Sequence, residues 1–287
     1  MPPILTATSL ILIIMSDEGA AQGAEALIEI NGTPIHVTRW GTSGSCVILV
    51  HGSAQGSQVG GDKHFDHQQS LADRGWQVLV PDRPGHGRST DPGRPDDADL
   101  DGALIAEMLD DGAHVVGHSF GGAVALAASA RRPELIKSLT VIEPAMQVLC
   151  TDIPVVRRFI FRLVRILLFS LTPARRIMGF AAAVGIPDAI RGGKSDDELA
   201  RMGRGIKQLR LPAKDALRNQ LRVIRERKIP FMVVTGGWNP AFEAVGDRVA
   251  DLGGGNRVVI ASPHHFPQSI SNEFNGILDA FMKRHEA

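Results

Sequence analysis

From residue 25 onward, short apolar runs rich in β-branched residues alternate with longer stretches of helical periodicity. "EALIEI" and "PIHVTRW" flank Asn31-Gly32, a dipeptide that favours the positive φ angles of a two-residue hairpin turn. "CVILV" (46 to 50) is apolar at every position, the pattern of a strand buried on both faces of a parallel sheet. "WQVLVP", "HVVGH", "SLTVIEP", "PFMVVTG" and "NRVVIAS" repeat that character further along. Between most of them lie segments of helix length, among them "DGALIAEMLDD", "FGGAVALAASARR" and the C-terminal "QSISNEFNGILDAFMKRH". Such alternation predicts βαβ units, hence an α/β fold with a mostly parallel central sheet covered by helices on both faces.

Residues 146 to 228 break the rhythm. They hold no convincing strand, but do hold arginine-rich helical stretches such as "VVRRFIFRLVRILLFS" and "DALRNQLRVIRERK". This interval carries 18 Lys/Arg against 7 Asp/Glu, leaving 13 against 24 elsewhere in a chain whose formal net charge is zero. The pattern predicts a basic helical cap inserted after the sixth strand of an acidic core formed by residues 24 to 145 and 229 to 287. Arg157, Arg158, Arg162 and Arg165 suit the wet face of an amphipathic helix. Phe159, Phe161, Leu163, Ile166 and Leu167 would then turn toward a substrate cavity or a membrane surface, and the cavity is the expected choice.

The rest of the composition narrows the function. Hydrophobic residues at 44% and charged residues at 22% suit a globular domain, and zero net charge suggests no nucleic-acid partner. Two distant cysteines, Cys46 and Cys150, suggest no disulfide framework and point to a reducing, cytoplasmic setting. No Cys/His cluster has metal-ligand spacing, so a metal is not expected. "ILTATSLILIIM" (4 to 15) is too short to span a bilayer and lacks the charged start of a secretory signal. Residues 1 to 23 are expected to be a leader without fixed structure, and membrane contact is not expected. The sequence leaves oligomeric state open.

Chemistry concentrates around "HVVGHSFGGAVALAAS" (114 to 129). Gly-x-Ser-x-Gly between a buried strand and a helix is the pattern of a nucleophile elbow, where small flanking residues let Ser119 adopt a strained backbone. A nucleophilic serine needs preorganised N–H donors for an oxyanion. The amide of Phe120 is one candidate; the other is expected from "HGSA", at Ser53 or Ala54 after the strand ending at Val50. The base should be a late histidine, and "SPHHFPQS" offers His265, with His264 as the alternative or as a pocket residue.

Taken together, His51-Gly52, "DRPGHGRS", "GHSFGG" and "HHFPQ" resemble the α/β-hydrolase fold family over nearly the whole chain from residue 25. The resemblance implies that Asp82, Arg83 and His86 are structural, and that residues 146 to 228 correspond to the family's cap. It also implies an acid after the seventh strand, but the matching position is Asn239, with Trp238 beside it, both possible pocket residues. Glu243 and Asp247 fall on the following helix. Glu143, at the end of the sixth strand, is the better candidate, since some family members such as haloalkane dehalogenases place their acid there. These expectations describe a cofactor-free serine hydrolase with a Ser119–His265–Glu143 triad, cleaving an ester or lactone, or else a thioester or C–C bond, of a small hydrophobic molecule. A cofactor-free haloperoxidase-like enzyme and a ligand-binding protein with little turnover remain as alternatives.

Overall fold

In the computed structural model, residues 23–52, 54–187, 192–270 and 272–286 are described. Eight strands form one sheet: β1 (Ala24–Ile30), β2 (Thr33–Trp40), β3 (Cys46–Val50), β4 (Gln77–Pro81), β5 (Ala113–His118), β6 (Ile136–Ile142), β7 (Phe231–Thr235) and β8 (Asn256–Val259). Their spatial order is β1-β2-β4-β3-β5-β6-β7-β8. β1, β2 and β4 pair antiparallel, and every pairing from β4 across to β8 is parallel. The expected hairpin forms, with Asn31 at φ 51° and Gly32 at φ 76°.

Period-two alternation divides the central strands between two cores. Ile48, Val50, Val115 and Val141 point to one apolar cluster, while Val47, Leu49, Val116 and Ile142 point to the other. Each such side chain, when fully buried, stabilises the fold by about 1.5–3 kcal/mol. The first cluster is covered by α2 (Ala98–Ala106), α3 (Phe120–Arg131) and α8 (Pro240–Gly253); the second by α9 (Asn272–Lys283), with Phe65 and Leu71 from the loop between β3 and β4. In that loop, α1 (Gly61–His64) precedes a 3-10 segment over Asp66–Arg74.

After β6 come α4 (Pro154–Phe169), α5 (Pro173–Ala183), α6 (Asp196–Gln208) and α7 (Lys214–Glu226). Helices follow the sixth strand as the cap expectation has it, and two of them meet other surfaces than expected. α7 belongs with the core helices, because it packs against α3 and α8 and buries Leu217, Leu221 and Ile224 in the first cluster. α4 is not the cavity wall: Phe159 packs edge-on to Phe242 of α8, and Phe161 is exposed. The walls come from α5 and α6 instead, through Ile177, Phe180, Met202 and Ile206. No helix of the described residues is long and apolar enough to cross a membrane.

Candidate active site

The carboxyl ends of β3, β5, β6 and β7 lie side by side, and open α/β sheets bind ligands at that edge. Ser119 follows β5 with φ 56° and ψ −120°, a conformation costly for a residue with a Cβ and therefore held by its surroundings. Its amide donates to Ile142 O (2.8 Å), and its carbonyl accepts from the amides of Gly122 (3.0 Å) and Ala145 (3.1 Å). The turn is tight enough to demand glycine: a Cβ on Gly121 would lie 2.1 Å from Val50 O, and one on Gly52 would lie 2.9 Å from Ser119 Cβ. The Gly-x-Ser-x-Gly spacing therefore reflects how closely α3 crosses the end of β3.

Glu143 sits one residue beyond β6, fully buried, at φ 47°. Its amide donates to Val234 O (2.8 Å), which ties the turn to β7. Oε1 accepts from Gly236 N (2.7 Å); Oε2 accepts from Trp238 Nε1 (3.0 Å) and lies 3.1 Å from His265 Nδ1. These donors satisfy both oxygens of a side chain sealed from water. His265 is 2% exposed, and with Nδ1–H directed at the carboxylate its buried Nε2 keeps a lone pair without a partner among the described residues. Ser119 and His265 both line a cavity of about 360 Å3.

The other sequence candidates find different places. Phe120 heads α3 beside the cavity, where its amide has no intrahelical acceptor. Ser53, the expected second oxyanion donor, lies outside the described residues. Ala54 lines the cavity; Trp238, Asn239 and His264 are not among its lining residues. Trp238 instead stands behind the cavity as a donor to Glu143. Asn239 caps α8, its Oδ1 accepting from Ala241 N (2.9 Å), which accounts for an amide where the family's acid usually stands. His264 closes its own turn, with Nδ1 accepting from Phe266 N (3.2 Å). Glu243 and Asp247 both pair with Arg257 and are occupied on the far side of β7.

Behind the loop after β3 lies a buried ionic network. The Arg83 guanidinium reaches Asp96 (2.9 Å) and Asp101 (2.7 Å) and donates to the carbonyls of His51 (3.0 Å) and Gly52 (3.2 Å). It also stacks 4.8 Å from the Phe120 ring centroid, so one side chain braces both the loop and the first residue of α3. Burial pulls the Asp96 carboxyl upward, but Arg83 and His86 outweigh it and hold the group well below the usual carboxylate range. Asp82, by contrast, anchors its own turn, accepting from Gly61 N (2.6 Å) and Arg88 N (2.9 Å).

Burial pushes the pKa of His51, His86 and His118 below the ordinary value, aided by Arg83 at the first two and by His265 at the third. The unfolded chain takes up these protons below about pH 6.5 while the folded chain resists them. Stability present above that pH is therefore lost as the pH falls, by about 1.4 kcal/mol per pH unit for each refused proton. Thermal unfolding is expected to show a midpoint falling steeply between pH 7 and 5. A flat midpoint across that range would contradict neutral burial of these rings.

Sequence reasoning missed two parts of this arrangement: the Trp238 indole and Gly236 amide on Glu143, and the contact of His118 with the carbonyl of His265 (2.7 Å). Trp238 carries a signal, standing two residues after Gly236 at the end of β7. His118 carried none, since its partner lies 147 residues away.

Known proteins agree with the fold. The chain is 33% identical over 117 residues to the lipase LipV of Mycobacterium tuberculosis, covering 39% of this chain and 42% of that protein. It is 31% identical over 122 residues to the AB hydrolase superfamily protein YfhM of Bacillus subtilis, covering 40% and 41%. These matches thus span less than half the length of either relative. The haloalkane dehalogenase DatA of Agrobacterium tumefaciens C58 superposes with a TM-score of 0.66 over 91% of this chain and 96% of its own, at 15% identity, a likeness of fold alone. The sequence model of the alpha/beta hydrolase family matches residues 47–271, from β3 through the histidine loop to the edge of α9, and the chain belongs to that family.

Proposed function

We propose that this protein is a cofactor-independent serine hydrolase that cleaves an ester or lactone of a small, largely hydrophobic molecule. The observation that carries this reading is the buried Glu143 carboxylate, bonded to His265 Nδ1 while His265 and Ser119 share one cavity. Ser119 Oγ attacks the carbonyl as His265 Nε2 takes its proton, and Glu143 stabilises the imidazolium and holds the ring in the required tautomer. The Phe120 amide, with an amide from the loop after Gly52, receives the oxyanion. His265 then returns the proton to the leaving oxygen, and water repeats the sequence on the acyl-enzyme. Apolar side chains from α5 and α6 favour a hydrophobic acyl or alcohol group.

A series of short-chain 4-nitrophenyl esters and γ-lactones tests the reading. Wild type is expected to turn over at least one of them, and Ser119→Ala to lose on the order of 10³-fold or more in kcat. Equal rates for the two proteins would reject Ser119 as the nucleophile.

A further inference from the structure

His64, at the end of α1, has no part in the chemistry above, yet it stands on the cavity wall. Its ring begins a chain of imidazoles. His64 Nε2 lies 2.8 Å from His118 Nδ1, and His118 Nε2 lies 2.7 Å from the carbonyl oxygen of His265. A carbonyl only accepts, so His118 Nε2 carries the proton and donates it. Burial keeps the His118 ring neutral, which leaves its Nδ1 with a lone pair. His64 Nε2 must then donate to that lone pair. His64 is driven neutral by burial and by His118 in turn, so its own Nδ1 is left as an acceptor. Among the described residues that nitrogen has no hydrogen-bond partner, and it is not one of the buried atoms left without one. The backbone of His265 thus dictates, through two rings, which face of His64 is offered to a ligand.

We propose that His64 is a specificity-determining residue, whose Nδ1 accepts a hydrogen bond from a substrate hydroxyl or amide N–H close to the reacting carbonyl. The placement follows from the chain itself: His118 directly precedes Ser119, and its ring lies 4.9 Å from that of His64 and 4.7 Å from that of His265. Lys63 and His67 also line the cavity, and both are exposed. The α5 and α6 part of the wall is apolar, so the acceptors left for a substrate N–H or O–H are few: His64, with Ser57, Asp66 and Ser269 elsewhere on the lining. The inference rests on the hydrolase reading and narrows it to acyl groups carrying a neutral donor, such as hydroxyacyl or acylamino esters and lactones.

The test compares 4-nitrophenyl butanoate with its 3-hydroxy and 2-acetamido derivatives, measuring kcat/KM for wild type, His64→Phe and His64→Gln. Comparing substrates within each protein cancels any general loss from a disturbed His118. The expected result is that His64→Phe lowers kcat/KM for the donor-bearing esters by about tenfold or more beyond its effect on butanoate, as befits one lost hydrogen bond. His64→Gln, which can still donate to His118 and accept from substrate, should recover much of that selectivity. It also serves if His64→Phe fails to fold, because its selectivity should then match wild type more closely than that of His64→Leu. Identical substrate ratios in wild type and variants would overturn the proposal. If no ester turns over, protection of Ser119 from a fluorophosphonate by 3-hydroxybutanamide, set against butanamide, reads the same contrast. Equal protection overturns this proposal alone, whereas a Ser119 that does not label overturns the hydrolase reading as well.

Discussion

Glu143→Gln is expected to lower kcat by on the order of 10³–10⁴ with KM little changed, because the charge and the acceptor pattern fail together. Three donors converge on the two oxygens of Glu143: Gly236 N, Trp238 Nε1 and His265 Nδ1. A glutamine offers one oxygen and an NH2 group, so at least one donor must face another donor. When the NH2 group takes the Oε2 position, the ring of His265 relieves its share of the clash by moving its proton from Nδ1 to Nε2. Nε2 would then be unable to take the Ser119 proton. The isosteric change therefore leaves the cavity intact and disables the base. Steady-state kinetics on any ester that wild type cleaves will check this. A loss of less than tenfold would mean that Glu143 neither orients nor stabilises His265.

The second large effect concerns stability. Arg83→Met should cost on the order of 3–5 kcal/mol, the usual penalty for breaking a buried ion pair from one side. Asp96 and Asp101, both about 1% exposed, would be left with only His86 and Arg94 as charged partners, and the His51 and Gly52 carbonyls would each lose a donor. Arg83→Lys is not expected to rescue the fold, since a single ammonium cannot reach two carboxylates and two carbonyls at once. The triple change Arg83→Met, Asp96→Asn, Asp101→Asn should recover part of the loss by removing the stranded charges. Urea unfolding measures all three. If Arg83→Met alone changes stability by less than about 1 kcal/mol, the network is not the brace described above.

Much of this was legible in the chain because local chemistry and tertiary demand coincide. Asn31-Gly32 reads as a hairpin for the same reason that it forms one, namely two residues that tolerate positive φ. The apolar runs at 46 to 50 and 114 to 118 read as buried strands, and those strands lie at the centre of the sheet. Asn239 looked like a missing acid, and that mismatch directed attention to Glu143, which the structure places against His265.

Other features depended on distant partners. An amphipathic helix shows that it has an apolar stripe, not which surface the stripe meets: α7 and α4 both turn theirs to the first core cluster, through Leu217, Leu221 and Ile224 and through Val156 and Phe159, rather than to the cavity. The same ambiguity hid α5 and α6 as the cavity walls. Trp238 reads as a pocket residue because an indole beside a strand end fits that role equally well; only the fold shows its N–H on Glu143. The imidazole chain from His64 to His265 joins segments 54 and 147 residues apart, and no spacing rule connects them.

The central claim is that Ser119 is a nucleophile activated by a His265–Glu143 pair. Mass spectrometry after exposure to a fluorophosphonate tests it without knowledge of the substrate. The account predicts a single adduct on Ser119 in wild type, none in Ser119→Ala, and labelling slowed by on the order of 10³-fold or more in Glu143→Gln. An adduct on another residue, or equal labelling of Ser119 in wild type and Glu143→Gln, would contradict it.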